Sequence, residues 1–355
     1  MFFLASMRVS GATFVWNDSS NNFNSNSSWF GGSGVPGAND VAFFAQSSFA
    51  NSPVITSSVS VGGIQMVNGA GALTFSAASG TTLTLGASGL VNYDSSRALT
   101  FNSANLSLAL ATSTSFYTES TISIGNLTPS LSIGANTLTL DGPGTGSTIA
   151  TAISGASGSV IKSGTGTWVL SAANTYTGGT TVNGGVLAFG AAANATGALV
   201  INAGGTLRLA ASNVFSSPAS LTLGGGTLQI SGGAFSQNFG LAPLSMGASS
   251  TIDFGSGLGA SALVFANSSG QTWAGTLTVS NYSSAGGDTL RFGTSSNALS
   301  GAQLAAISFD GIAAQIDSNG FVSPVPEPAA YALVLGAGVL ATMIMRRRKP
   351  AVACP

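Results

Sequence analysis

Residues 166–190 read GTWVLSAANTYTGGTTVNGGVLAFG, and both ends of the stretch share one pattern, a glycine ahead of a four-residue apolar strand. TWVL fills 167–170 and VLAF fills 186–189; further on, TLRL occupies 206–209 and TLQI occupies 227–230. The glycines ahead of them, Gly166, Gly185, Gly205 and Gly226, are spaced 19, 20 and 21 residues apart. In each copy the second and fourth residues are large and apolar: Trp168 and Leu170, Leu187 and Phe189, Leu207 and Leu209, Leu228 and Ile230. The third is Val169, Ala188, Arg208 or Gln229, which water tolerates. A period of two puts one side of every strand inside.

A unit of about 20 residues with one strand and a glycine turn is the signature of a solenoid whose coils stack strand on strand. Similar alternation at Leu73-Thr74-Phe75, Leu99-Thr100-Phe101, Leu138-Thr139-Leu140 and Leu277-Thr278-Val279 carries the pattern beyond the repeat. The expected fold is all-β, a right-handed parallel β-helix over 13–245 with a β-rich C-terminal cap over 246–323. The competing arrangement is a large β-sandwich with coincidental glycine spacing. In a solenoid each buried Leu-sized side chain contributes about 1.5–3 kcal/mol, but only once a neighbouring coil covers it. Within the cap, NALSGAQLAAISF is expected to hold a short helix or helical turn ahead of Ile307-Ser308-Phe309.

Composition narrows the function. Charged residues are 5% of the chain, against about 25% in an ordinary soluble domain. The surface must therefore be made of Ser, Thr and Asn, which offers neither counterion release nor steering, and nucleic acid is excluded as a partner. Histidine is absent and the single cysteine is Cys354. The chain thus lacks the commonest general base and metal ligand, and an intramolecular disulfide. Glycoside hydrolysis would need two carboxylates facing one bond. Asp18, Asp40, Asp94, Glu119, Asp141, Asp253, Asp288, Asp310 and Asp317 are scattered, mostly beside turn residues. The expectation is no enzyme, no cofactor and no metal, with a β-helical polysaccharide lyase or hydrolase as the catalytic alternative.

The charge that remains is concentrated at one end. Without Glu327 and the bases Arg346, Arg347, Arg348 and Lys349, the chain has 9 acidic and 5 basic residues, a formal net charge of −4. The apolar run 329–345 precedes that basic block. As a helix its length is about 26 Å, just enough for a thin hydrocarbon core. The basic end is expected on the cytoplasmic side, which places the body outside. Pro326 and Pro328 bracket Glu327 and favour an extended segment that a protease can bind. At the other end, MFFLASMRVSGA (1–12) has a short apolar start, a late Arg8 and a small-residue site at Ser10-Gly11-Ala12. It reads as a truncated signal peptide, or else as an unstructured start.

Two resemblances follow from these residues. The stretch 158–190, with Lys162, Gly164, Gly166, Leu170, Asn174, Tyr176, Gly178, Gly179, Thr180 and Gly185, resembles the autotransporter-associated β-strand repeat of bacterial surface proteins. That implies an exported, β-helical, passenger-like region. No autotransporter-type barrel follows in the sequence, so another export route is expected. The tail, 324–350, resembles the PEP-CTERM sorting signal: Pro326-Glu327-Pro328, a transmembrane helix over 329–345, and the basic anchor Arg346–Lys349. It implies an exosortase-type membrane protease as partner, transient anchoring in the inner membrane, and release to the cell surface or extracellular matrix. By the same association, an exopolysaccharide or cell-surface glycan is an expected partner.

The opening FVWNDSSNNFNSNSSWFGGSGVPGANDVAFF (14–44) is similar to the start of many such proteins, through Trp16, Trp29, Pro36, Gly37 and Asp40. Its plainest role is structural, with the aromatics capping the first coil and Asp40 satisfying turn donors. The alternative is a carbohydrate-binding adhesin that stacks sugars on exposed Trp16 and Trp29.

Overall fold

A computed structural model describes residues 11–326, apart from 32–33, 68, 79, 192–195, 216–217, 232, 241 and 257–258. The chain winds into an all-β parallel solenoid of about 10 turns. Each coil visits three faces in order. In the repeat, Ser159–Lys162 lies on face one and Thr167–Leu170 on face two. Residues 174–176 pass along face three, and Thr180–Val182 returns to face one.

The register is the one the alternation demands. Trp168 pairs with Leu187, Leu187 with Leu207, and Leu207 with Leu228, all in parallel strands. Like side chains therefore stack in columns along the axis, and Trp168, Leu170, Leu187, Phe189, Leu207 and Leu228 are fully buried. The glycines at the strand starts are there because neighbouring coils touch. A Cβ on Gly166 would sit 2.1 Å from the Gly144 carbonyl oxygen, and one on Gly185 would sit 2.3 Å from that of Gly166.

Both ends of the core are shaped by aromatics. At the N-terminal end Trp16, Phe23, Trp29 and Phe44 pack together, with Trp16 and Trp29 5.1 Å apart edge to face. Further along, the rings of Phe239 and Phe265 stack at 5.1 Å and those of Phe265 and Phe292 at 5.0 Å, one per coil. Offset or tilted pairs of this kind add about 0.5–1.5 kcal/mol each to the burial term.

Parallel stacking continues well past residue 245, the boundary expected from sequence. Leu228 pairs with Ile252, Ile252 with Val279 and Val279 with Phe309, so the coils lengthen to 24, 27 and 30 residues. Longer turns hide the period, although the strands remain in register. The last coil replaces its face-one strand with the helix Gly301–Ala305, which is started by a Ser300/Gln303 capping box. The closing unit is smaller than expected: Ile312–Ile316 and Phe321–Pro324 pair antiparallel and end the stack. The expected transmembrane helix over 329–345 lies outside the described residues. Among the described residues no helix is long and apolar enough to cross a membrane.

Candidate functional site

The repeat is organised around a lysine that faces inward. Val160 and Lys162 alternate with Ile161, and Lys162 stands in a core column between Leu140 and Val182 of the neighbouring coils. Its stem fills that column as an aliphatic residue would, while the ammonium reaches the turn at the end of the strand. There it donates to the carbonyls of Ser163, Gly164 (3.0 Å) and Gly184 (3.2 Å). All three donors are used, and the turns of two successive coils are clamped together. Burial pushes the Lys162 pKa down to about 8, opposed by the nearby Asp141 carboxylate. A neutral fraction exists near neutrality, but an amine enclosed by three carbonyls is positioned as a strut.

Two further hallmarks of the repeat are internal. Asn174 is fully buried; its side-chain oxygen accepts from Ile153 N at 2.9 Å, and its Nδ2 has no partner. Tyr176 is also fully buried, 2.7 Å from the Thr180 hydroxyl, and burial raises its pKa against that bond. Asn174 ties face three of its coil to face three of the coil before, and Tyr176 ties face three to face one.

Most of the carboxylates proved to be turn clamps. Asp40 accepts from Ala12 N (2.7 Å) and Gly37 N (2.9 Å), and Asp18 from Ala50 N (2.7 Å) and Asn51 N (2.8 Å). Asp94 accepts from Gly69 N, Ser96 N and Arg97 N, and Asp317 from Asn319 N and Phe321 N. Burial alone would raise the Asp94 pKa, but these bonds outweigh it and hold the carboxyl below its ordinary value. Among the described residues no group of three metal-ligating side chains is assembled.

Two outward-facing arrangements were not visible in sequence. On face two a chain of hydrogen bonds crosses four coils: Arg208 Nε to Gln229 (2.7 Å), Gln229 Nε2 to Asp253 (2.8 Å), and Asn281 Nδ2 to Asp253 (2.7 Å). On face one, nearer the N-terminal end, Tyr93 and Tyr117 lie 5.6 Å apart on adjacent coils. Burial, then the Glu119 carboxylate, raises both phenols, which leaves them as neutral hydrogen-bonding groups at physiological pH.

The sugar-stacking reading of the tryptophans is corrected by their placement. Trp16 is 0% exposed and Trp29 5%. Trp29 Nε1 donates to Phe23 O at 2.8 Å, inside the aromatic plug of the first coil. A ring enclosed on both faces has none left for a sugar. Of the sorting motif, Pro326 is exposed, one residue past the last strand Phe321–Pro324. Glu327, Pro328 and the basic residues Arg346, Arg347, Arg348 and Lys349 lie outside the described residues, as do residues 1–10 of the expected signal peptide.

A family model described as the passenger-associated transport repeat covers residues 160–189. No curated protein and no solved structure matches the chain. The matched span holds the Lys162 clamp, Asn174 and Tyr176, and it ends on the buried Phe189. A β-solenoid carrying this repeat points to an exported, passenger-type protein of the cell surface.

Proposed function

We propose that the chain is a bacterial structural protein of the cell surface or extracellular matrix, sorted and cleaved at its tail by an exosortase-type membrane protease. The observation that carries the reading is the passenger-associated repeat, set within an unbroken parallel stack. The exit of the chain from the body supports the sorting step. Val325 N still donates to Ala313 O at 2.8 Å, and the next residue, Pro326, is exposed and has no N–H to pair. Pro326-Glu327-Pro328 thus begins where the ladder ends, so a protease could engage it without unzipping the body. The apolar run 329–345 and the block Arg346–Lys349 would hold the motif at the outer face of the inner membrane until cleavage.

Mass spectrometry of the mature protein from its own host tests this. A C-terminus near residue 326 is expected. Recovery of intact Arg346 to Pro355 would overturn sorting by cleavage and leave a permanent anchor.

A further inference from the structure

Face three carries an open cleft of about 480 Å³ near the C-terminal end of the stack. Its origin is in the register. Asn238, Val264 and Arg291 form an outward column on three successive coils, while the small residues Gly240, Ala266 and Gly293 run beside it and leave a trough. Strand spacing makes the trough roughly 10 Å long across those coils.

Val264, Phe265 and Ala266 give it an apolar floor, and its polar side chains offer hydrogen-bond donors. Arg291 Nε is held by the Gly293 carbonyl at 2.8 Å, and the guanidinium lies 5.6 Å from the ring centre of Phe321. These contacts fix its plane and leave the terminal nitrogens for a ligand. The amide oxygens of Asn238 and Asn267 accept from Gly240 N (2.9 Å) and Ser269 N (3.0 Å), so each presents its NH₂. Thr294 and Ser295 add hydroxyls, and no carboxylate is among the lining residues.

We infer that this cleft binds an acidic saccharide, with Arg291 pairing with a uronate carboxylate and the two asparagine amides holding ring hydroxyls. A planar guanidinium with two free donor groups matches a carboxylate bidentately. The middle strand, Ala262–Phe265, is hydrogen-bonded on both sides, which disfavours a peptide added as an extra strand. One guanidinium among amides and hydroxyls can meet one carboxylate at a time, whereas nucleic acid is held by rows of cations along its phosphates. The inference deepens the proposed surface role, and rests on it only for the place where the polymer is met.

The test uses the full-length protein in detergent micelles and tetrasaccharides of hyaluronan, alginate and polygalacturonate, with binding measured calorimetrically. At least one should bind, and Arg291→Gln should weaken it about tenfold or more while Arg291→Lys recovers part of the loss. Carboxyl reduction of the sugar should have the same effect as Arg291→Gln. Ala266→Leu, which fills the trough without altering charge, should also abolish binding. Thermal unfolding confirms that each variant is folded. The inference is overturned if no uronate binds, if Arg291→Gln or the carboxyl-reduced sugar binds like the parent, or if a DNA oligonucleotide competes equally. None of these outcomes depends on tail cleavage, so this inference and the proposed function can fail separately.

Discussion

Replacing Lys162 with methionine keeps the aliphatic stem in its column and removes the charge that the core holds at 0% exposure. The folded-state pKa is lowered to about 8 from 10.5. Well below pH 8 both states are protonated, so the cost of burying the charge is fully present. Between the two values the folded state binds fewer protons than the unfolded one, and stability rises with pH. For these two values, linkage gives a gain of about 2 kcal/mol between pH 7 and pH 9.5. Tyr176 acts the other way, because its raised pKa makes stability fall once the unfolded phenol ionises; below pH 9.5 that loss is only a few tenths of a kcal/mol, roughly. The assay is urea unfolding across this range, read beside exchange of the Asn183 amide, which bonds to Lys162 O at 2.8 Å. The parent should gain stability and protection as pH rises, and Lys162→Met should lack that component. Parallel pH profiles for the two proteins would refute the assignment of a depressed lysine to this clamp.

Gly166→Ala places a methyl group 2.1 Å from the Gly144 oxygen; the coils must separate there, and a loss of about 2 kcal/mol or more in urea unfolding is expected. Asn174→Ala leaves the buried Ile153 amide without its acceptor. That should cost about 1–3 kcal/mol and raise exchange at Ile153 selectively, as amide-resolved hydrogen exchange would report.

The legible part of the fold was the part governed by a local rule. At Trp168, Leu187, Leu207 and Leu228 alternation and glycine spacing agree, and each residue sits where that agreement puts it. After Leu228 the strands still alternate, but turns of unequal length break the spacing, and the coils beyond residue 245 lose their signature. In the sequence Lys162 stands out as a mark of the repeat and not as a core residue, because hydropathy ranks a lysine as solvent-seeking whatever its register. Its alternation with Val160 was the available signal. The cleft around Arg291 was not legible at all: TLRF shows only that the arginine faces out. Its meeting with Asn238 and Asn267 depends on which coils are neighbours. Trp16 and Trp29 were ambiguous for the opposite reason, since an aromatic suits a core or a sugar equally well until its burial is known.

The polar contacts of the body share one property. Asp18, Asp40, Asp94, Asp317 and Lys162 each meet backbone dipoles, and on face two the amide of Gln229 stands between Arg208 and Asp253. Ionic screening weakens attraction between separated opposite charges, and it has little purchase on a carboxylate in contact with peptide N–H groups. Cohesion between coils is thus set by apolar burial and short-range dipoles. The same stack would hold in dilute water and in brine, a useful property for a protein exposed to surroundings whose salinity the cell does not control.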